Sequence, residues 1–329
     1  MARKKRNIIE EIKTKVLINF LCIKLDIGLS SGELSEYFEG TRRNSSKWKR
    51  YITGEHSISN GTLDLILSVI CEKEKLDKEH LVQQIKELFY SPLWVALESG
   101  DKNIEFWLEF YRSLPINLQQ YVFLKNSPSD RTFPNEAQLP PIERICTLES
   151  LALLVGLARE TRDKLSGFHI VKLERPLVRV LLFTLQESGF YQCRFELVRY
   201  FIEHVFLPNH ELRVHIDAPL NNFRISEKAL DDLIENDIAI TEAAQRFGIV
   251  KTEREKQLFY FYRFHLERSS IDKVNIEIFY LQKKKFREYP TLNKIITKLN
   301  RRRADSQQIP LILPTELDLK NEKLVYPPR

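Results

Sequence analysis

Residues 34–67 read LSEYFEGTRRNSSKWKRYITGEHSISNGTLDLIL, and this stretch decides what kind of fold the chain has. Between Thr41 and Gly54 it holds five cationic side chains, Arg42, Arg43, Lys47, Lys49 and Arg50, and no acid. The cations surround Trp48 and Tyr51, which are three positions apart and so share one face of a helix. Gly40 and Gly54 punctuate the two ends, as glycines do where helices stop. The pattern predicts a short helix over 33–39, with Ser30 or Ser31 as its cap. A second helix follows at about 44–53, capped by Asn44 or Ser45 and stopped by Gly54. Ser59 or Asn60 then opens a third, with Leu63, Ile66, Leu67 and Ile70 on its apolar face.

Upstream, Ile8, Ile9, Ile12, Val16, Leu17, Phe20, Leu21 and Leu25 recur at helical spacing, predicting a helix over 8–25 with one apolar face. The first 72 residues thus read as a bundle of four short helices. Trp48, Tyr51 and Ile52 face its core. Arg42, Arg43, Asn44, Ser45 and Lys47 are exposed at the start of the helix at about 44–53. Lys49 and Arg50 lie further along it.

The whole chain has 329 residues, enough for two or three domains, with 43% hydrophobic and 29% charged residues, as in ordinary globular proteins. Only 10 glycines are present, too few for a fold rich in tight hairpins. Cys22, Cys71, Cys146 and Cys193 form no C-x-x-C pair and suit reduced thiols. The apolar run Val16–Ile23 is too short for a signal peptide or a membrane span. A cytoplasmic protein with no membrane partner is expected. The net charge of +6 is unevenly spread. Residues 1–56 hold 12 Lys/Arg against 7 Asp/Glu, and residues 283–303 hold 9 against 1. Residues 57–282 are acidic, with 27 against 33. Two basic zones flanking an acidic middle point to local contact with a polyanion.

Further along, helices are expected at 80–90, 103–114, 142–157, 176–186 (with Pro176 near its start), 195–206, 225–235, 241–247, 253–268 and 271–300. The prolines between 115 and 141 mark a loop or boundary. ELRVHI, 211–216, alternates and reads as a lone strand or a helix continuation. The fold class is all-α, divided as a helical bundle over 1–72, a connector over 73–141, a larger helical C-terminal region over 142–303 and an extended tail over 304–329.

The order small–acid–x–aromatic–x–Gly (Ser35 to Gly40), the polar turn after it, SKWKRYITGE from Ser46 to Glu55, and SNGTL from Ser59 to Leu63 together resemble the helix-turn-helix of Cro/C1-type phage repressors. The resemblance covers about residues 8–72. The chain differs in having Ser35 where that family usually has Ala, and in a longer turn. What the resemblance implies is a DNA-binding transcription regulator of prokaryotic or phage type. Arg42, Arg43, Asn44, Ser45 and Lys47 would then stand where base and phosphate contacts are made. Arg suits guanine and Asn suits adenine in the major groove, while Lys49 and Arg50 suit the backbone. The implied partner is double-stranded DNA, with RNA as the second nucleic-acid candidate. The C-terminal helices would serve a homodimer or a protein partner. The plain alternative is a solvated basic face that binds nothing.

Other constellations are weaker. Lys283, Lys284, Lys285 and Arg287, with Arg301, Arg302 and Arg303, are interleaved with aromatics and suit phosphate contact and stacking, or else a solvated helix end. TEAAQRFGIVKTEREK, 241–256, is a second helix-turn-helix-like stretch whose mixed charges favour an ordinary link inside a bundle. Arg199 and His204 resemble the Arg-x4–6-His pattern of HEPN-type ribonucleases. Arg162/His169 and Arg50/His56 fit that spacing too, which chance alone readily produces. No H-E-x-x-H, Walker A, G-x-G-x-x-G or G-x-S-x-G motif occurs, so no catalytic residue, metal or cofactor is expected. Besides a DNA-binding regulator, the composition fits a subunit that holds nucleic acid within a defence or mobile-element complex, and a HEPN-like ribonuclease.

Overall fold

Asn7 accepts a hydrogen bond from the Ile9 amide at 3.1 Å and starts α1, Ile8–Lys24. Ser30 accepts from the Glu33 amide and starts α2, Ser31–Glu39, which ends at Gly40 with a left-handed φ of 70°. A six-residue link, 40–45, leads to α3, Ser46–Ile52, with Ser45 at its N-cap and Gly54 beyond its end at φ 72°. Ser59 accepts from the Thr62 amide and opens α4, Asn60–Lys73. α5 spans Lys78–Phe89, α6 Pro92–Glu98 and α7 Ile104–Ser113. The computed structural model describes residues 7–74, 78–98, 102–124, 127–135, 137–160, 167–206, 227–246, 250–257 and 260.

Four short helices at the N-terminus, and a mainly helical chain after them, are what the periodicity predicts. α1 departs from the expected single apolar face. Ile9, Ile12, Thr14, Val16, Leu17, Ile18, Asn19, Leu21 and Cys22 are all buried, so the helix is enclosed nearly all round. The reason is its position: α3 and α5 pack on it, as do α6 and a 3-10 turn at Ser188–Cys193. Its buried Thr14 is satisfied because its hydroxyl oxygen accepts from the Ile58 amide at 3.3 Å.

The stretch 115–141, expected as loop, holds a short helix α8, Ile116–Gln119, and a two-stranded antiparallel hairpin, β1 Phe123–Leu124 and β2 Ser127–Arg131. The expected helix 142–157 is two helices, α9 Leu139–Ile145 and α10 Leu148–Glu160. They part at Cys146, whose φ is 47°. Thr147 and Ser150 then cap α10 reciprocally, each side-chain oxygen accepting from the other's amide at 2.9 and 3.3 Å. Pro176 lies inside α11, Gly167–Thr184, and is not at its start.

After the 3-10 turn come α12, Arg194–Tyr200, and a π-helical turn, Phe201–Phe206. The two short helices expected at 225–235 and 241–247 are one, α13 Glu227–Arg246. The Thr241 hydroxyl donates to the Asp237 carbonyl at 2.9 Å, a bond made within the helix instead of at a cap. ELRVHI at 211–216, the helices expected beyond 261 and the tail from 304 lie outside the described residues. Among the described residues no helix is long and apolar enough to cross a membrane.

Packing divides the chain into one unit of residues 1–142 and 146–230, and another of 143–145 and 231–329. Within the first unit α1 ties the first helices to those that follow. In the first unit α10 is the second enclosed helix, with every residue from Ser150 to Ala158 buried. It packs on α6, α7 and α11. A Cβ at Gly156 would stand 3.0 Å from Phe110, 3.2 Å from Tyr111 and 3.3 Å from Trp107, all buried rings of α7. Glycine there permits the close approach of α7 and α10. Gly156→Val should lower unfolding stability by about 1–3 kcal/mol, the usual cost of overpacking. Chemical denaturation checks this; an unchanged midpoint would show that the two helices have room to spare.

Candidate nucleic-acid interface

The link 40–45 and α3 form an exposed strip. Arg42, Arg43, Asn44, Ser46, Lys47, Lys49 and Arg50 are exposed, and Ser45 is half-buried. Trp48 and Tyr51 face inward, at 1% and 9% exposure, and Ile52 is half-buried. The expected split between outward cations and inward aromatics holds residue by residue. Asn44 and Ser45, expected in the first helical turn, lie in the link, because the helix begins at Ser46.

A ring stack holds α3 on α2. Phe38 stacks on Trp48 with centroids 5.0 Å apart, and Tyr51 meets Trp48 edge-on at 5.8 Å. Tyr37, next to Phe38, donates its hydroxyl to Glu74 at 2.7 Å and tethers α2 to the end of α4.

The centre of the strip is one carboxylate, Glu39, in the last turn of α2. It accepts from the Ser35 hydroxyl at 3.1 Å, Arg43 at 3.0 Å, the Trp48 indole N–H at 3.1 Å and Lys47 at 3.5 Å. Burial pushes its carboxyl up. The hydrogen bonds from Arg43 and Ser35 and the charge of Lys47 outweigh that and hold it below the ordinary carboxylate range. Next to it, Arg42 pairs with Glu36 at 3.7 Å, both well exposed. Asn44 accepts from the Ser31 hydroxyl at 3.2 Å, which ties the link back to the start of α2. Arg50 lies 3.2 Å from the His56 ring nitrogen. Lys49 has no acidic partner among the described residues. The sequence pattern singles out the cations and passes over Glu36 and Glu39, although Glu39 stands four residues before Arg43.

The other expected site residues fare differently. Lys283, Lys284, Lys285, Arg301, Arg302 and Arg303 lie outside the described residues. In the second helix-turn-helix-like stretch, Thr252 and Glu255 form a capping box: Glu255 accepts from the Thr252 amide at 3.2 Å and Thr252 from the Glu255 amide at 3.1 Å. Arg254 donates to the Arg144 carbonyl at 2.7 Å. Glu255 serves local structure, and Arg254 joins this stretch to the end of α9. Arg199 pairs with Glu203 at 3.1 Å, and the His204 ring lies 4.4 Å from that of Tyr200. The pair Arg162/His169 lies outside the described side chains.

A polar network inside the first unit has no counterpart among the sequence motifs. Tyr111 donates to Glu160 at 2.7 Å, Arg131 pairs with the same carboxylate, and its guanidinium lies 4.8 Å from the Tyr111 ring centre. Burial and the Glu160 charge push the Tyr111 phenol well above its usual value. It is held neutral, as a hydrogen-bond donor that joins α7, β2 and α10. Among the described residues no three His, Cys, Asp or Glu side chains are grouped to hold a metal ion.

No protein-family model, curated protein or solved structure matches the chain.

The depressed carboxyl of Glu39 has a pH consequence. Its folded value lies below the unfolded value of about 4.3, so its contribution is complete above that pH and is lost as pH falls through the folded value. Stability measured by denaturant titration at pH 7, 4 and 3 should fall more steeply on acidification in the wild type than in Glu39→Gln. Parallel decline in the two proteins would contradict the depressed value.

Proposed function

We propose that the N-terminal helices bind double-stranded DNA through the strip Arg42–Arg50, with α3 as the helix that enters the major groove, and that the protein is a DNA-binding regulator. The observation that carries this reading is the sorting of side chains on so short an element. Every cation between 42 and 50 is exposed, while Trp48 and Tyr51 on the same helix are buried and stacked. Such a helix is held by its neighbours and offers only polar and cationic groups to a partner. The resemblance of residues 8–72 to Cro/C1-type helix-turn-helix proteins supports the same reading. In it Arg42, Arg43 and Lys47 make phosphate or base-edge contacts, and Lys49 and Arg50 reach the backbone further along.

The ion pair of Arg42 with Glu36, exposed on both sides, does not oppose this. Pairs at such exposure are worth about 0–1 kcal/mol and exchange readily for phosphate. The helices beyond residue 73 would supply oligomerisation or partner binding.

The test is duplex binding as a function of salt by the full-length chain and by the triple variant Arg42→Ala, Arg43→Ala, Lys47→Ala. Affinity should fall, and the slope of log K against log salt should flatten by roughly 0.9 for each phosphate that is no longer neutralised. Unchanged binding and slope in a folded triple variant would rule the strip out. Equal binding of RNA and DNA without sequence preference would favour a subunit that holds nucleic acid for a partner.

A further inference from the structure

Glu39 is fixed from one side and engaged from the other. Its two inner donors come from residues that cannot move far: Ser35 is 0% exposed and Trp48 1%. Its two outer donors, Arg43 and Lys47, have side chains 68% and 45% exposed. A rigid negative charge therefore stands directly beneath two cations of the proposed DNA-binding strip. Any phosphate that approaches Arg43 or Lys47 also approaches this charge, and the repulsion opposes the contact. That penalty is the same for every DNA sequence. Contacts to base edges are made only on the right sequence and can offset it there alone.

Resting on the DNA-binding reading above, we propose that Glu39 sets the strength of phosphate binding: it holds down the affinity of the strip for duplex phosphate, so that only a duplex that also makes base contacts is held tightly. Ser35 and Trp48 are the positioning groups that keep the carboxylate in place. Glu36, with a side chain 55% exposed and 3.7 Å from Arg42, has no such inner anchor. It can swing away, and it opposes phosphate less.

The experiment uses the full-length chain with two probes, a random-sequence duplex and a duplex selected by the wild type from a random pool. Glu39→Gln removes the charge but keeps an oxygen that can accept the Trp48 N–H. It should bind random duplex roughly three- to tenfold more tightly, the effect of one unit charge at this distance in a largely solvated setting. Its salt slope should steepen by roughly 0.9, one more phosphate neutralised. Affinity for the selected duplex should rise by a similar factor, because the penalty is common to both probes. A residue with a merely structural role would weaken binding to both probes and would not steepen the slope. Glu36→Gln should change random binding less than Glu39→Gln does. In the otherwise wild-type chain, Arg43→Gln should cost less random-duplex affinity than Lys49→Gln, since of the two only Arg43 has its charge offset by an adjacent acid. This second comparison stands whether or not Glu39→Gln folds. Unchanged or weakened random binding by folded Glu39→Gln, or a larger drop from Arg43→Gln than from Lys49→Gln, would overturn the proposal while leaving DNA binding intact. A wild type that binds no duplex at any salt would overturn both.

Discussion

The hydrogen bond from the Trp48 indole to Glu39, 3.1 Å long, is the constraint on which the N-terminal architecture depends. A buried tryptophan contributes a large apolar area, but its N–H must find an acceptor. Here the acceptor is supplied by the last turn of the preceding helix. Once that bond is made, α2 and α3 are locked together through the stack of Phe38 on Trp48, and the six-residue link between them is drawn tight. Arg43 and Lys47 are then gathered around the same carboxylate. The order of the core and the placing of the outward cations thus come from one side chain.

α1 sets the second constraint. A helix buried on one side would let residues 1–72 stand alone. This helix is buried nearly all round, and its far side receives the 3-10 turn at Ser188–Cys193. A Cβ at Gly189 would stand 3.2 Å from Phe20 and 3.3 Å from the Val16 carbonyl, so the chain approaches α1 closely there. Lys15 on α1 also pairs with Glu196 at 2.6 Å. The helices that carry the strip are therefore continuous in packing with residues far along the chain. Residues 42–50 are thus carried by a body larger than a small helical module.

Structure is legible in the sequence where local chemistry decides it. Ser30, Ser59 and Asn103 cap helices that the apolar spacing predicts, and Gly40 and Gly54 with positive φ mark the ends of α2 and α3. The inward Trp48 and Tyr51 follow from spacing alone. What escapes is non-local or subtle. The second buried side of α1 depends on a segment some 170 residues away, which no periodicity records. The break at Cys146 is written as a Thr-x-x-Ser capping pair, a signal hidden by the apolar run after it. The role of Glu39 is hidden because an acid next to a basic stretch reads as a boundary, when in three dimensions it lies under the cations. The Tyr111–Arg131–Glu160 network joins three separate elements and has no local signature at all.

If residues 42–50 are the surface that meets DNA, duplex must shield the lysines within them. Lysine acetylation footprinting of the full-length chain, with and without duplex DNA, reads this at each side chain. Lys47 and Lys49 should become protected, while the exposed Lys86 and Lys102, on α5 and before α7, react as before. Protection elsewhere with Lys47 and Lys49 unchanged would contradict the assignment of the strip.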